Sequence, residues 1–148
     1  STVAYEDIAF ILESRTLNLA LAEEGLTGKY GLSVGHCISL ASNKEVFGDD
    51  FLSYAMSMTA AASDARMAGC TLAAMSNSGS GNQGITCSIP VIEYAKSLNK
   101  SKEETIRALT LSNLVSIYIK NKILEIIMCY NTFCYRSMTK SINQDNIV

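Results

Sequence analysis

The most restrictive feature of this sequence is a long stretch of small, mostly uncharged residues, "FLSYAMSMTAAASDARM", at positions 51–67. Alanine, serine, threonine and methionine dominate it, and no charge occurs before Asp64. Asp49 and Asp50 precede it, and acidic residues are favourable at a helix N-terminus. The pattern predicts a central helix whose small residues, such as those at 60–63, let neighbouring backbones approach closely. Tight packing explains these small residues better than direct contact with a ligand.

Two earlier segments also have helical spacing of their apolar residues, at 5–14 and at 32–40, and the second should end near Ser42 and Asn43. Strand-like alternation is scarce throughout the chain. We therefore expect an all-α, mainly helical fold with glycine-rich loops between the helices and few or no strands. A length of 148 residues matches one domain, which we expect to cover residues 1–148.

The last helix has a clear start signal, because Ser101 is followed three residues later by Glu104 in the pattern of a capping box. An apolar stripe at i, i+3, i+4 and i+7 follows, formed by Leu111, Leu114, Val115 and Tyr118. Further apolar residues cover the other faces of this helix: Ile106, Leu109, Ile117 and Ile119. A helix that is apolar on most sides is expected to be buried on most sides.

Composition excludes several classes of function. The net charge is −2, and no basic stripe occurs that could follow phosphates, so we expect no nucleic-acid partner. No apolar run approaches the roughly 20 residues of a membrane span, and the N-terminus lacks a signal-peptide pattern. We therefore expect no membrane association and a cytoplasmic location. The five cysteines are an odd number without framework spacing, which is typical of a reducing compartment.

The run "SNSGSGNQG" at positions 76–84 is the strongest candidate for a binding loop. Its glycines leave backbone N–H groups accessible ahead of a helix that we expect to start near Asn82, and such groups bind a carboxylate or a phosphate. No Gly-Lys-Ser/Thr follows, and no parallel strand precedes, so neither common nucleotide motif applies. The alternative is a tight helix–loop–helix connection that needs positive φ. The candidate contacts are Ser78, Gly79, Ser80, Gly81, Asn82 and Gln83.

Asp64 and Arg66 form a second candidate pair among the alanines that precede this loop. Arg66 could hold a substrate carboxylate while Asp64 orients the substrate or a neighbouring group. An internal ion pair that fixes the loop explains the pattern equally well.

Other reactive side chains give weaker signals. His36 is the only histidine and stands beside Cys37 on an apolar segment, where a hydrogen-bonded structural role is more common than catalysis. Lys29 and Tyr30 could serve as acid–base groups, but nothing in the sequence indicates a perturbed environment.

Three long motifs occur in a fixed order: "FILESRTLNLALAEEGLTGKYGL", "TAAASDARMAGCTLAAMSNSGSGNQGITCSIPV" and "RALTLSNLVSIYIKN". Together they closely resemble the central part of the L-cysteine desulfidase family, which is related to the α-chain of iron–sulfur L-serine dehydratases. The resemblance implies a helical catalytic domain that binds a small amino acid, L-cysteine or L-serine. With a [4Fe-4S] cluster and without pyridoxal phosphate, such an enzyme eliminates sulfide or water, then ammonia, and leaves pyruvate.

The resemblance also implies that the loop at 76–84 cradles the carboxylate or ammonium group of the substrate, with Ser78, Ser80, Asn82 and Gln83 as polar contacts. It implies no ligand role for three of the five cysteines, Cys37, Cys70 and Cys87.

Residues 123–148 depart from the family pattern. Cys129 stands near a position where the family has a cysteine, but its register and surroundings differ, so it is a weak candidate metal ligand. The tail resembles unrelated sequence, as a frameshift or a premature stop would produce. We therefore expect a truncated piece of the family's domain that holds no cluster and is inactive alone. The alternative is a non-catalytic module that forms homo-oligomers or binds a small anion.

Overall fold

The computed structural model describes residues 3–40 and 43–144, with side chains as far as residue 123. Within those ranges no residue belongs to a β-strand, which confirms the all-α prediction. The elements in chain order are α1 (Tyr5–Ile8), a 3-10 helix (Ala9–Leu12), α2 (Glu13–Gly25), α3 (Val34–Ser39), α4 (Lys44–Phe47), α5 (Phe51–Met67), α6 (Gly81–Ser97) and α7 (Lys102–Gln144).

Helix α5 has the bounds that the sequence predicts, and it packs against α2, α3 and α6. Its N-cap is Asp50, whose Oδ1 accepts a hydrogen bond from the backbone N–H of Ser53 at 2.9 Å. Hydrogen bonds from Ser53 lower the pKa of Asp50, because they stabilise the ionised carboxylate. The buried residues of α5 are mostly small: Ser53, Ala55, Ser57, Met58, Ala61, Ala62 and Ala65.

Ala61 shows how closely the backbones approach at α5. A Cβ built on Gly25 of α2 would lie 3.0 Å from the Cα of Ala61, and one on Gly35 of α3 would lie 2.5 Å from it. Real side chains do not tolerate such distances, so only glycine fits at these two crossings. Ser57 adds a hydrogen bond from its Oγ to the carbonyl of Gly35 at 2.9 Å. The small residues of α5 therefore serve tight packing, as predicted.

Two hydrophobic clusters form the core of the described residues. The first joins α2, α5 and α6 through Leu21, Ala22, Met58, Ala62, Ala65, Ile85 and Ile89. The second consists of Ile11, Ile92, Ile106 and Leu109. Burial of one large aliphatic side chain contributes about 1.5–3 kcal/mol. The first cluster holds α5 and α6 against each other, and these two helices fix both ends of the loop that joins them, residues 68–80.

Helix α7 confirms one prediction and corrects another. The capping box is present, because Glu104 N–H donates to Ser101 Oγ at 3.2 Å and Ser101 N–H donates to Glu104 Oε2 at 3.0 Å. Burial on most sides is wrong, since Leu111 and Leu114 are 64% and 58% exposed. An apolar stripe favours burial but needs an element to cover it, and the second core cluster ends at Leu109. The other members of the stripe, Val115 and Tyr118, are exposed too.

By its contacts the chain divides into two compact units, Ser1–Leu114 and Val115–Val148. Every residue of the candidate site described below belongs to the first unit. The expectation of a single domain stays a prediction, and most of the predicted tail, 123–148, lies outside the described side chains. Within the described ranges, no helix carries an apolar stretch long enough to cross a membrane.

Candidate functional site

The glycine-rich run forms an ordered turn. Asn77 N–H donates to the carbonyl of Ser80 at 3.0 Å, and Ser80 N–H donates to the carbonyl of Asn77 at 2.9 Å. The two central residues, Ser78 and Gly79, have φ of 48° and 77°. Positive φ at both central positions is the pattern of a type I′ turn, and it explains a glycine at the second of them. The tight helix–loop–helix connection with positive φ, which the sequence offers as the alternative to a binding loop, is therefore present.

Helix α6 begins directly after this turn, one residue earlier than predicted. Ser80 is its N-cap, and its Oγ accepts a hydrogen bond from the backbone N–H of Gln83 at 3.3 Å. The first amides of a helix have no carbonyl one turn earlier to bond, so those of Gly81 and Asn82 have no acceptor within α6. They also carry the positive end of the helix dipole.

Arg66, at the end of α5, lies against the start of α6. Its Nη1 donates a hydrogen bond to Asn82 Oδ1 at 3.0 Å. Its guanidinium lies so close to Gly81 that a Cβ built there would stand 2.7 Å from Cζ. The side chain is half-buried, and no ion pair of Arg66 occurs among the described residues. This arginine therefore carries a positive charge that no protein carboxylate balances there.

A cavity of about 520 Å³ opens beside this arginine. It is lined by Arg66, Met67, Cys70, Leu72, Ala74, Ser76, Gly79 and Gly81. The guanidinium and the start of α6 provide positive charge and donors on one side, and the rest of the lining includes the hydroxyl of Ser76 as well as apolar and sulfur-containing side chains. Such a site suits a small molecule with a carboxylate or phosphate at one end.

Asp64 has a different environment from Arg66. Its Oδ2 accepts a hydrogen bond from the backbone N–H of Gly35 at 2.9 Å, in the first turn of α3. Residues two apart on a helix point to opposite sides, and no ion pair joins Asp64 to Arg66 in the described part of the chain. Asp64 holds α3 against α5, and its predicted role beside a substrate stays a prediction.

The remaining predicted contacts surround the turn. Ser78 is exposed at its tip. Gln83 donates from Nε2 to Asn77 Oδ1 at 3.1 Å, so this amide group lies against the base of the turn. A direct contact of either side chain with a substrate also stays a prediction.

Sequence reasoning missed Asn18 of α2, which is fully buried. Its Oδ1 accepts from the backbone N–H of Met75 at 2.9 Å, and its Nδ2 donates to Ser88 Oγ at 2.7 Å. One side chain thus ties α2 to the loop and to α6. The sequence around Asn18 does not indicate these contacts, because the partners are distant in the chain. Met75 is 57 positions away and Ser88 is 70 positions away.

The weaker candidates have structural partners. His36 donates from Nδ1 to the carbonyl of Leu26 at 2.7 Å, as expected for a structural histidine. Tyr30 donates to Glu24 Oε1 at 2.9 Å, and this bond, with a smaller contribution from Cys70, raises the pKa of Tyr30 to about 12. Burial raises the pKa of Cys87. The phenol of Tyr30 and the thiol of Cys87 are therefore protonated at neutral pH.

A [4Fe-4S] cluster is commonly held by four cysteine thiolates. In the part of the chain that the structure describes, no three histidine, cysteine or acidic side chains come together as metal ligands. The described residues therefore do not fit a cluster. The predicted weak ligand, Cys129, lies outside the described side chains.

The fold and the site together define an all-helical domain with a cationic pocket at a helix N-terminus. Residues 1–125 match the serine dehydratase alpha chain family, and the chain belongs to that family. This match ends at residue 125, close to position 123, where the atypical tail is predicted to begin.

Relatives include a UPF0597 protein of Oleidesulfovibrio alaskensis, 55% identical over 119 residues, which are 80% of this chain and 28% of the relative. One of Clostridium perfringens is 53% identical over 78% of this chain and 27% of its own length. One of Phocaeicola vulgatus is 48% identical over 83% of this chain and 29% of its own. The chain thus spans less than a third of the curated relatives that it matches. No solved structure matches it.

Proposed function

We propose that this chain forms the carboxylate-binding part of an amino-acid β-eliminating lyase. Such an enzyme converts L-serine to pyruvate and ammonia, or L-cysteine to pyruvate, ammonia and sulfide. The observation that carries the proposal is the position of Arg66, whose guanidinium forms no ion pair among the described residues and lines the cavity beside Gly81 at the start of α6. Membership of the serine dehydratase alpha chain family supports an amino acid as the ligand.

The chain's own contribution is to bind and orient the substrate. Arg66 pairs with the carboxylate, and the first amides of α6 donate to it. Asn82 holds the guanidinium through its Oδ1, so that the donors converge on one end of the cavity. The side lined by Met67, Cys70 and Leu72 is left for the rest of the substrate.

The family is associated with iron–sulfur serine dehydratases. A cluster there would act as a Lewis acid towards the leaving hydroxyl or thiol group. Because the described residues do not assemble a ligand set for it, no step of our proposal passes through a cluster.

Calorimetric titration of this chain with four compounds tests the proposal: L-serine, L-cysteine under reducing conditions, ethanolamine and inorganic phosphate. We expect at least one of the two amino acids to bind, and ethanolamine, which is serine without its carboxylate, not to bind. Arg66→Gln should weaken binding at least about tenfold, since an interaction with a charged group is lost. The matched control is Arg107→Gln, which removes a half-buried arginine on α7 whose Nη2 pairs with Glu103 Oε1 at 2.8 Å.

Two results would contradict the proposal. If phosphate binds and neither amino acid does, the cavity belongs to a small-anion-binding module. If Arg66→Gln binds as tightly as the unchanged chain, the arginine does not hold the ligand.

Anaerobic reconstitution with iron and sulfide tests the expectation that this chain is inactive alone. We expect no stable cluster absorption and no sulfide release from L-cysteine. About four irons per chain together with sulfide release would overturn that expectation and would point to the tail cysteines as ligands.

A further inference from the structure

A network of amide side chains connects the base of the turn to helix α7. Asn77, the first residue of the turn, is only 5% exposed. Its Nδ2 donates to Asn113 Oδ1 on α7 at 2.7 Å, and its Oδ1 accepts from Gln83 Nε2 on α6 at 3.1 Å. A buried amide of this kind is costly to leave unpaired, so these bonds restrict where Asn77 lies.

Asn113 is itself held in one orientation. Its Nδ2 donates to the carbonyl of Leu109 one turn earlier at 2.9 Å. Its Oδ1 also accepts from the thiol of Cys87 at 3.2 Å, and burial of that thiol raises the pKa of Cys87 and keeps it a donor. Hydrogen bonds to Cys87 on α6 and to Leu109 on α7 thus hold Asn113 Oδ1 in the position where it accepts from Asn77.

The turn transmits this position to the cavity. The backbone N–H and carbonyl of Asn77 form both hydrogen bonds that close the turn on Ser80. Gly79 within the turn and Gly81 directly after it line the cavity beside Arg66. Asn77 therefore links the side chain of Asn113 to the backbone that faces the ligand.

We infer that Asn113 is a positioning residue for the carboxylate site, acting through Asn77 on the turn at 77–80 without contacting the ligand. The inference rests on the proposed function for its choice of ligand. Its structural part, that Asn113 fixes the turn, stands independently of which ligand binds.

Three variants separate positioning from plain stabilisation. Asn113→Ala removes the side-chain acceptor for Asn77 and leaves the longer contact of Asn77 Nδ2 with the backbone carbonyl of Asn113, at 3.2 Å, in place. Asn113→Asp keeps that acceptor and loses only the donor to Leu109. Ser112→Ala is the matched control, since Ser112 Oγ donates to the carbonyl of Cys87 at 2.8 Å and joins the same two helices without bonding to the turn.

Two properties are compared among the variants of the full chain: hydrogen exchange of the Ser80 amide, and affinity for L-serine and L-cysteine. The melting temperature of each variant is measured beside them as a readout of stability. Asn113→Ala should speed exchange at Ser80 and weaken binding about five- to tenfold, in keeping with the loss of one buried hydrogen bond. Asn113→Asp should preserve both properties even where its melting temperature falls. Ser112→Ala should lower the melting temperature without changing either property.

The inference is overturned if Asn113→Ala leaves Ser80 exchange unchanged, or if Ser112→Ala has the same effect as Asn113→Ala. If the unchanged chain binds neither amino acid, the proposed function fails, and the exchange of Ser80 still decides whether Asn113 fixes the turn.

Discussion

The guanidinium of Arg66 lies directly against the backbone of Gly81, where a Cβ would come within 2.7 Å of Cζ and 3.0 Å of Nη2. The absence of a side chain at the first position of α6 is thus what lets the arginine approach the helix N-terminus. Charge from the side chain and charge from the helix dipole then act on the same point.

Gly81→Ala should therefore impair binding without impairing folding. The added methyl group displaces the flexible end of Arg66, and we expect the affinity for L-serine or L-cysteine to fall about tenfold. The helix itself gains, because alanine is favoured over glycine by about 0.5–1 kcal/mol within a helix. Titration and urea unfolding of the same preparation check both parts. Unchanged affinity would show that the position of Arg66 against Gly81 is irrelevant to the ligand.

Asn82→Ala and Ser80→Ala should differ from each other. Asn82 holds Arg66, so its loss weakens binding more than folding. Ser80 is the N-cap of α6, and its replacement by alanine should lower the free energy of unfolding by ~1 kcal/mol. Affinity and urea midpoints measured for both variants test this. Equal losses of affinity and stability for Asn82→Ala would argue against a role of Asn82 in the site.

Gly35→Ala should strongly destabilise the fold. Its Cβ would press on the backbone of Ala61, which cannot move as a side-chain end can, so we expect a loss of about 3 kcal/mol or more. Gly69→Ala is the control: its φ is 88° but nothing lies within 4 Å of a Cβ there, so only strain of about 1 kcal/mol applies. Urea unfolding gives both values, and equal losses would contradict the close crossing of α3 and α5.

The capping box of α7 should depend on pH. Hydrogen bonds from Ser101 and Lys100 lower the pKa of Glu104 to about 2, below its ordinary value of 4.5. A carboxylate whose pKa is lowered on folding stabilises the fold above its unfolded pKa, and the effect fades as the pH falls towards the folded value. The urea midpoint of Glu104→Ala should thus lie below that of the unchanged chain at pH 7 and approach it near pH 2.5.

Lys102→Ala, at an exposed neighbouring position, is the control for that series. It should show no comparable convergence. A gap between Glu104→Ala and the unchanged chain that stays constant from pH 7 to pH 2.5 would show that the ionised carboxylate does not stabilise α7.

The parts of the fold that follow from local chemistry could be predicted from sequence. The bounds of α5 follow from its acidic start and uncharged small residues, and the start of α7 follows from Ser101 and Glu104. The predicted burial of the stripe at Leu111 and Leu114 was wrong. Periodicity indicates which side of a helix is apolar, but it cannot show whether another element covers that side.

The candidate site divides in the same way. The glycine-rich loop and Arg66 were recognisable, because glycines before a helix and an arginine among alanines are local signals. Asn18 and Asn113 were not, since each acts on residues distant in sequence, as in the bond from Asn77 to Asn113 across 36 positions. Only the fold brings those side chains to the loop.

The central claim is that Arg66 and the start of α6 hold the carboxylate of a small amino acid, and a nuclear magnetic resonance titration tests it most directly. The signals to follow are the backbone amides of Gly79 and Gly81 and the Nε–H of Arg66, during addition of L-serine or L-cysteine and of their decarboxylated amines. We predict saturable shifts at these three groups with at least one of the amino acids and none with the amines. Equal shifts with the amines, or shifts confined to other parts of the chain, would contradict the account.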